Sequence, residues 1–122
     1  MHGVVTTAVF ARHAARAGFS EEDQLRLEAF LSVNPKAGDI IRGTGGARKL
    51  RFAAAGRGKS PSYRVITYYA ADDVPVFLLD IYSKGERVNL SQAERNELRK
   101  ILGTVADRYR QSIKDKVARI RR

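Results

Sequence analysis

The spacing of apolar positions divides this chain of 122 residues into helical and strand-like stretches. Residues 4–6 form a short β-branched strand. Thr7 can then cap a helix that runs to about Ala17, with Val9, Phe10, Ala14 and Ala17 near one face and Gly18 at its end. Ser20 opens a second helix. Its hydroxyl can accept from free backbone N–H groups, and Glu21, Glu22 and Asp23 suit the positive end of the helix dipole. Leu27, Phe30 and Leu31 give this helix its apolar stripe, and Pro35 stops it by disfavouring helical geometry at Asn34.

Beyond this helical hairpin the period changes to two. A glycine-rich turn at residues 43–46 precedes a strand over 48–53, where Leu50 and Phe52 alternate with Lys49 and Arg51. A loop with Gly56, Gly58 and Pro61 leads to a strand over 63–69. Val65, Thr67 and Tyr69 share one of its faces, and Arg64, Ile66 and Tyr68 the other. Asp72-Asp73 marks a turn. Residues 76–82 are almost continuously apolar, as in a central buried strand. Ser91 and Glu94 have the spacing of a capping box. Leu98, Ile101, Leu102, Val105, Tyr109, Ile113, Val117 and Ile120 then keep helical spacing, with Gly103 the point where that helix can bend. The order predicts an α+β fold: a compact β-α-α-β-β-β-α domain with a largely antiparallel sheet, an N-terminal helical hairpin and a C-terminal helix. Residues 1–102 make the domain, and residues 103–122 a basic, helical C-terminal extension.

Charge changes this picture. The formal net charge is +10, and it is uneven. Residues 1–33 hold three basic and four acidic groups, residues 34–102 thirteen and seven, and residues 103–122 seven and two. Between Asp39 and Asp72 there is no acid, yet Arg42, Arg48, Lys49, Arg51, Arg57, Lys59 and Arg64 all fall in this stretch. A basic run of this kind is usually a disordered tail. Here it is threaded through strand-like sequence, which fixes the cations on a folded surface and points to a polyanionic partner. The plain alternative is a solvated sheet face with splayed cations.

Other classes drop out. The chain has no cysteine, which removes disulfides and thiolate metal sites. His2 and His13 belong to no ligand-like cluster, so neither metal nor cofactor is expected, and His13 reads as a surface histidine. No apolar run approaches the ~20 residues of a membrane span. The N-terminus lacks a signal-peptide pattern, and the expected location is cytoplasmic, away from membranes.

Lys49 and Arg51 lie two apart on one strand and leave the same face; Arg64 on the neighbouring strand can join them, and Lys84 and Arg87 can close the cluster. Such a cluster can do more than bind. Cleaving RNA requires a 2′-hydroxyl to lose its proton, an in-line phosphorane to be stabilised and a 5′-oxygen to gain a proton. Arginine matches two phosphate oxygens with a permanent charge. An amine can serve as base where neighbouring cations favour its neutral form, and Lys49 stands between Arg48 and Arg51 in the chain's basic run. The turn at 43–46 can offer backbone N–H groups to a phosphate, and Tyr63, Tyr68, Tyr69 and Tyr82 can stack on bases or pack in the core.

Several segments together resemble the RelE/HigB toxins of bacterial type II toxin–antitoxin systems. They are Asn34-Pro35-Lys36-Ala37-Gly38-Asp39, the run from Gly43 through Phe52, Gly56-Arg57-Gly58-Lys59, Tyr63-Arg64-Val65-Ile66, Ile81-Tyr82-Ser83-Lys84 and Leu90 through Leu98. The resemblance covers residues 4–102 in order. It implies a metal-independent, ribosome-dependent endoribonuclease that cuts mRNA in the ribosomal A site and is held inactive by a cognate antitoxin protein. By position, Lys49 and Arg51 resemble the family's paired catalytic lysines, with arginine in the second place. Arg64 resembles the arginine that stabilises the scissile phosphate. Lys84 and Arg87 occupy the region of further basic active-site residues, and Arg42, Arg48, Arg57 and Lys59 remain as RNA contacts. Some relatives use a tyrosine or histidine near the C-terminus; no histidine follows His13 here, and Tyr109 is a poor match. Two other readings stand beside this one: a gyrase poison of the ParE type on the same fold, and a non-catalytic RNA-binding module.

Overall fold

The computed structural model describes residues 1–55, 62–83, 86 and 90–121. Its elements are β1 (Val4–Thr6), α1 (Ala8–Arg16), α2 (Glu21–Val33), β2 (Asp39–Ile40), β3 (Ala47–Ala53), β4 (Ser62–Tyr68), β5 (Val76–Ser83) and α3 (Gln92–Ile120). This is the α+β order expected from the pattern, with the two-residue strand β2 added. The five strands form one open sheet in the order β1-β5-β4-β3-β2. β1 runs parallel to β5, and every other pair is antiparallel.

The helices start where the sequence places caps. The Thr7 and Ser20 hydroxyls accept from the N–H groups of Phe10 and Asp23, and Ser91 and Glu94 complete a capping box. α3 passes through Gly103 without a break. Gly38, at a φ of 96°, lets the chain leave α2 and lie against β3: a Cβ there would stand 2.7 Å from the Lys49 carbonyl oxygen.

Strand alternation sends side chains to two cores. On one face Leu50, Phe52, Tyr63, Val65, Val76, Leu78 and Ile81 pack with Phe10 and Ala14 of α1, Phe19, and Leu27 and Leu31 of α2. On the other, Ala47, Ile66, Tyr68, Leu79 and Tyr82 pack with Leu102 and Val105 of α3. The nearly continuous apolar run of β5 reflects burial on both faces.

One buried carboxylate ties the helical layer to the end of β3. Asp23 is 6% exposed, accepts from the Ala55 backbone N–H at 2.9 Å and pairs with Arg26 at 3.0 Å. Burial raises its pKa, but the Ala55 N–H, Ser20 and Arg26 outweigh this and hold it below the usual carboxylate value. Asp23→Asn is therefore expected to lose about 2 kcal/mol of stability at neutral pH. A carboxylate with a lowered folded pKa stabilises above its unfolded value and loses that contribution as pH falls through the folded value. The gap between wild type and variant should thus close in acid, as urea midpoints at pH 7 and pH 2 can test.

Candidate functional site

The site begins with the β3–β4 register. Arg51 pairs with Arg64, and Lys49 with Ile66, so Lys49, Arg51 and Arg64 share the α3 side of the sheet. Arg64 in turn pairs with Tyr82 of β5. The result is a cross-strand row, Arg51–Arg64–Tyr82, with Lys49 one step along on the same face. Directly opposed side chains have Cβ atoms about 4.5–5.5 Å apart. Arg51 is exposed, while Lys49 and Arg64 are half-buried. Among the described residues none of the three forms an ion pair. Two like charges held opposite each other oppose folding by about 0.2–1 kcal/mol, and an anion laid between them removes that repulsion.

The neighbouring row is acidic at both ends. Asp39 of β2 pairs with Lys49, and Asp80 of β5 with Ile66. Among the described residues Asp39 and Lys49 form no ion pair, although the register sets them opposite each other. The β4–β5 register shifts between Ile66 and Thr67, where Leu78 partners Thr67, Asp80 partners Ile66 and Leu79 is the extra residue. This bulge reverses the phase of β5. Val76 and Leu78 face α1 and α2, but Tyr82 packs on the opposite side, beside Arg64.

Tyr82 sits among acids. Burial first, then Asp80, with Glu94 and Glu86 adding, pushes its phenol up to about 12. The hydroxyl keeps its proton at neutral pH and serves as a donor. Beside it, His13 Nδ1 lies 2.5 Å from Asp80 Oδ1, and Asp80 also accepts from the Ile81 N–H at 2.8 Å. The pair joins α1 to the part of β5 that extends past short β1. His13, Arg16, Ile81, Tyr82, Ser83 and Glu86 line a cavity of about 260 Å³ at this edge. From the sequence alone His13 reads as a surface residue, and the structure pairs it with Asp80. Its place three residues after Phe10, one turn along the helix, was the available signal; its carboxylate partner lies 67 positions away.

α3 divides the face. Leu102 and Val105 cover Ala47, Ile66 and Tyr68, and Tyr109 meets Phe77 edge-on. Leu90, just before its cap, and Glu94 and Leu98 in its first turns share an apolar cleft with Ile66, Asp80 and Tyr82. The end of the sheet bearing Arg51 lies beyond this cover.

Other basic residues stand apart. Arg48 is on the α1–α2 side, where its guanidinium donates to the carbonyls of Lys36 and Gly38 at 3.0 and 3.3 Å. Arg42 is exposed at the opposite end of β3 from Arg51, and its carbonyl accepts from Arg95 at 2.9 Å. The turn at 43–46 packs against Arg95 and Arg99, with Thr44 buried and bonded to Ile41 and Ala47. Tyr63 is a core residue whose hydroxyl donates to Ala17, and the Tyr69 hydroxyl bonds Asp72. Arg57, Lys59, Lys84 and Arg87 lie outside the described residues.

The arrangement suits a phosphodiester. Two guanidinium groups can each take two of its oxygens, an amine stands beside them, and a neutral phenol closes the row. Among the described residues no helix is long and apolar enough to cross a membrane. Residues 3–120 match the family described as the RelE toxin of the RelE/RelB toxin–antitoxin system. With that match spanning nearly the whole chain, and the fold and cationic face in keeping with it, the protein belongs to the RelE toxin family.

Proposed function

We propose that this toxin is an endoribonuclease that cuts mRNA on the translating ribosome, and that the Lys49–Arg51–Arg64 face binds the scissile phosphate. The observation that carries the reading is the convergence, on one sheet face, of three cations without carboxylate partners among the described residues. Arg51 and Arg64 hold the non-bridging oxygens and stabilise the charge that builds in the phosphorane. Lys49 takes the proton of the 2′-hydroxyl. The 2′-oxygen attacks phosphorus and the P–O5′ bond breaks. A 2′,3′-cyclic phosphate and a protonated 5′-oxygen result, so the net proton transfer is from O2′ to O5′. Tyr82 supplies a hydrogen bond, and Lys84, one position past β5, completes the catalytic set. Arg42, Arg57, Lys59 and Arg87 act as further RNA contacts in this scheme. The reaction is assigned to side chains alone.

An antitoxin restrains the activity, in keeping with the family. Primer extension on translated message after induction tests the reading. Cuts in phase with codons are expected. Intact message with accompanying DNA damage would identify a gyrase poison instead, and ribosome binding without cleavage would leave only an RNA-binding module.

A further inference from the structure

α3 is longer than the sheet it covers. At a rise of about 1.5 Å per residue its 29 residues extend for about 44 Å. Its last anchors are Tyr109, against Phe77, and Arg110, which grips Asp73 through two bonds of 2.7 Å. From Gln111 to Ile120 every residue is exposed. Yet the apolar stripe continues. Ile113, Val117 and Ile120 are spaced i, i+4, i+7 and extend the line of Leu102 and Tyr109 past the edge of the domain, with exposures of 40%, 41% and 81%. Lys114, Lys116, Arg119 and Arg121 surround them, against the single acid Asp115.

We infer that this overhang is a docking surface for an acidic, amphipathic helical segment of the antitoxin. Each feature selects among occupants. Phosphates of RNA would meet the cations but gain nothing from three aliphatic side chains on one line. A second copy of the chain would fit the stripe but bring its own cations against Lys116 and Arg119. A helix with an apolar seam and flanking carboxylates satisfies both, because i, i+4, i+7 anchors are what one helix offers another. The inference rests on family membership and is independent of the nuclease reading.

Calorimetric titration of the purified full chain with its purified antitoxin tests it. The triple variant Ile113→Ser/Val117→Ser/Ile120→Ser should weaken binding by about a hundredfold, as expected for the loss of central anchors. Lys116→Glu/Arg119→Glu should weaken it about tenfold, with a shallower salt dependence. Val117→Arg, which retains good helix propensity, should reproduce most of the triple effect and shows that loss of helix is not the cause. Unchanged antitoxin affinity in the triple variant would overturn the inference. So would selective loss of binding to a short single-stranded RNA, or sedimentation showing that the wild-type chain is a dimer that the triple variant dissociates. None of these readouts requires RNA cleavage.

Discussion

Exchange of Lys49 for alanine is expected to slow cleavage of translated message by about 10²–10⁴-fold, the range for loss of a positioned general base. The more telling variant is Lys49→Arg. It retains the positive charge next to Arg51 and Arg64 but cannot yield a neutral base at ordinary pH. If Lys49 only attracts RNA, arginine should restore nearly full activity. If it takes the 2′-hydroxyl proton, arginine should remain close to alanine in rate while ribosome binding stays near wild type. Single-turnover cleavage of mRNA on programmed ribosomes separates the two, and growth arrest on induction gives the cellular counterpart.

Arg64→Ala should lower the same rate by about 10²–10³-fold, as for removal of one preorganised donor to transition-state charge. Its position supports a stronger statement than its charge does. Arg64 is the centre of the row, opposite Arg51 on β3 and Tyr82 on β5. Removing it leaves Arg51 without the neighbour that shares a phosphate, yet relieves a like-charge pair in the empty protein. Activity and stability should therefore part company: cleavage falls steeply while the thermal midpoint stays within a few degrees of wild type. Full toxicity of both Lys49→Ala and Arg64→Ala would reject the assignment of this face. Loss of toxicity with a collapsed thermal midpoint would mean that Arg64 supports the fold instead.

The helical layer and the strand alternation were legible because both are local. Thr7 after the short strand, Ser20 before three acids, and Ser91 three residues before Glu94 each carry their own backbone chemistry, and α1, α2 and α3 begin where these caps stand. The opposition of Leu50 and Phe52 to Lys49 and Arg51 follows from the period of two, and the observed cores divide in that way. The short strand β2 was not legible: two residues carry no period, and Asp39 acquires meaning only when Gly38 brings it beside Lys49. Arg48 shows the converse. The sequence groups it with Lys49 and Arg51, but a strand neighbour points the other way, and its donors are bound to backbone carbonyls.

By itself, the sequence determined the kinds of element, their order, the two faces of β3 and β4, and a concentration of positive charge on one of them. These follow from backbone periodicity, capping and composition, which act over a few residues. Only the tertiary structure decided what completes the row. The bulge at Leu79 turns Tyr82 to the side of Arg64, whereas unbroken alternation from Val76 and Leu78 would have sent it towards α1 and α2. The joining of His13 to Asp80, and the point where α3 runs past the sheet, are likewise set by contacts between distant segments. Strand register and the lateral packing of helices depend on how whole faces fit together, and no local pattern in one strand or helix encodes them.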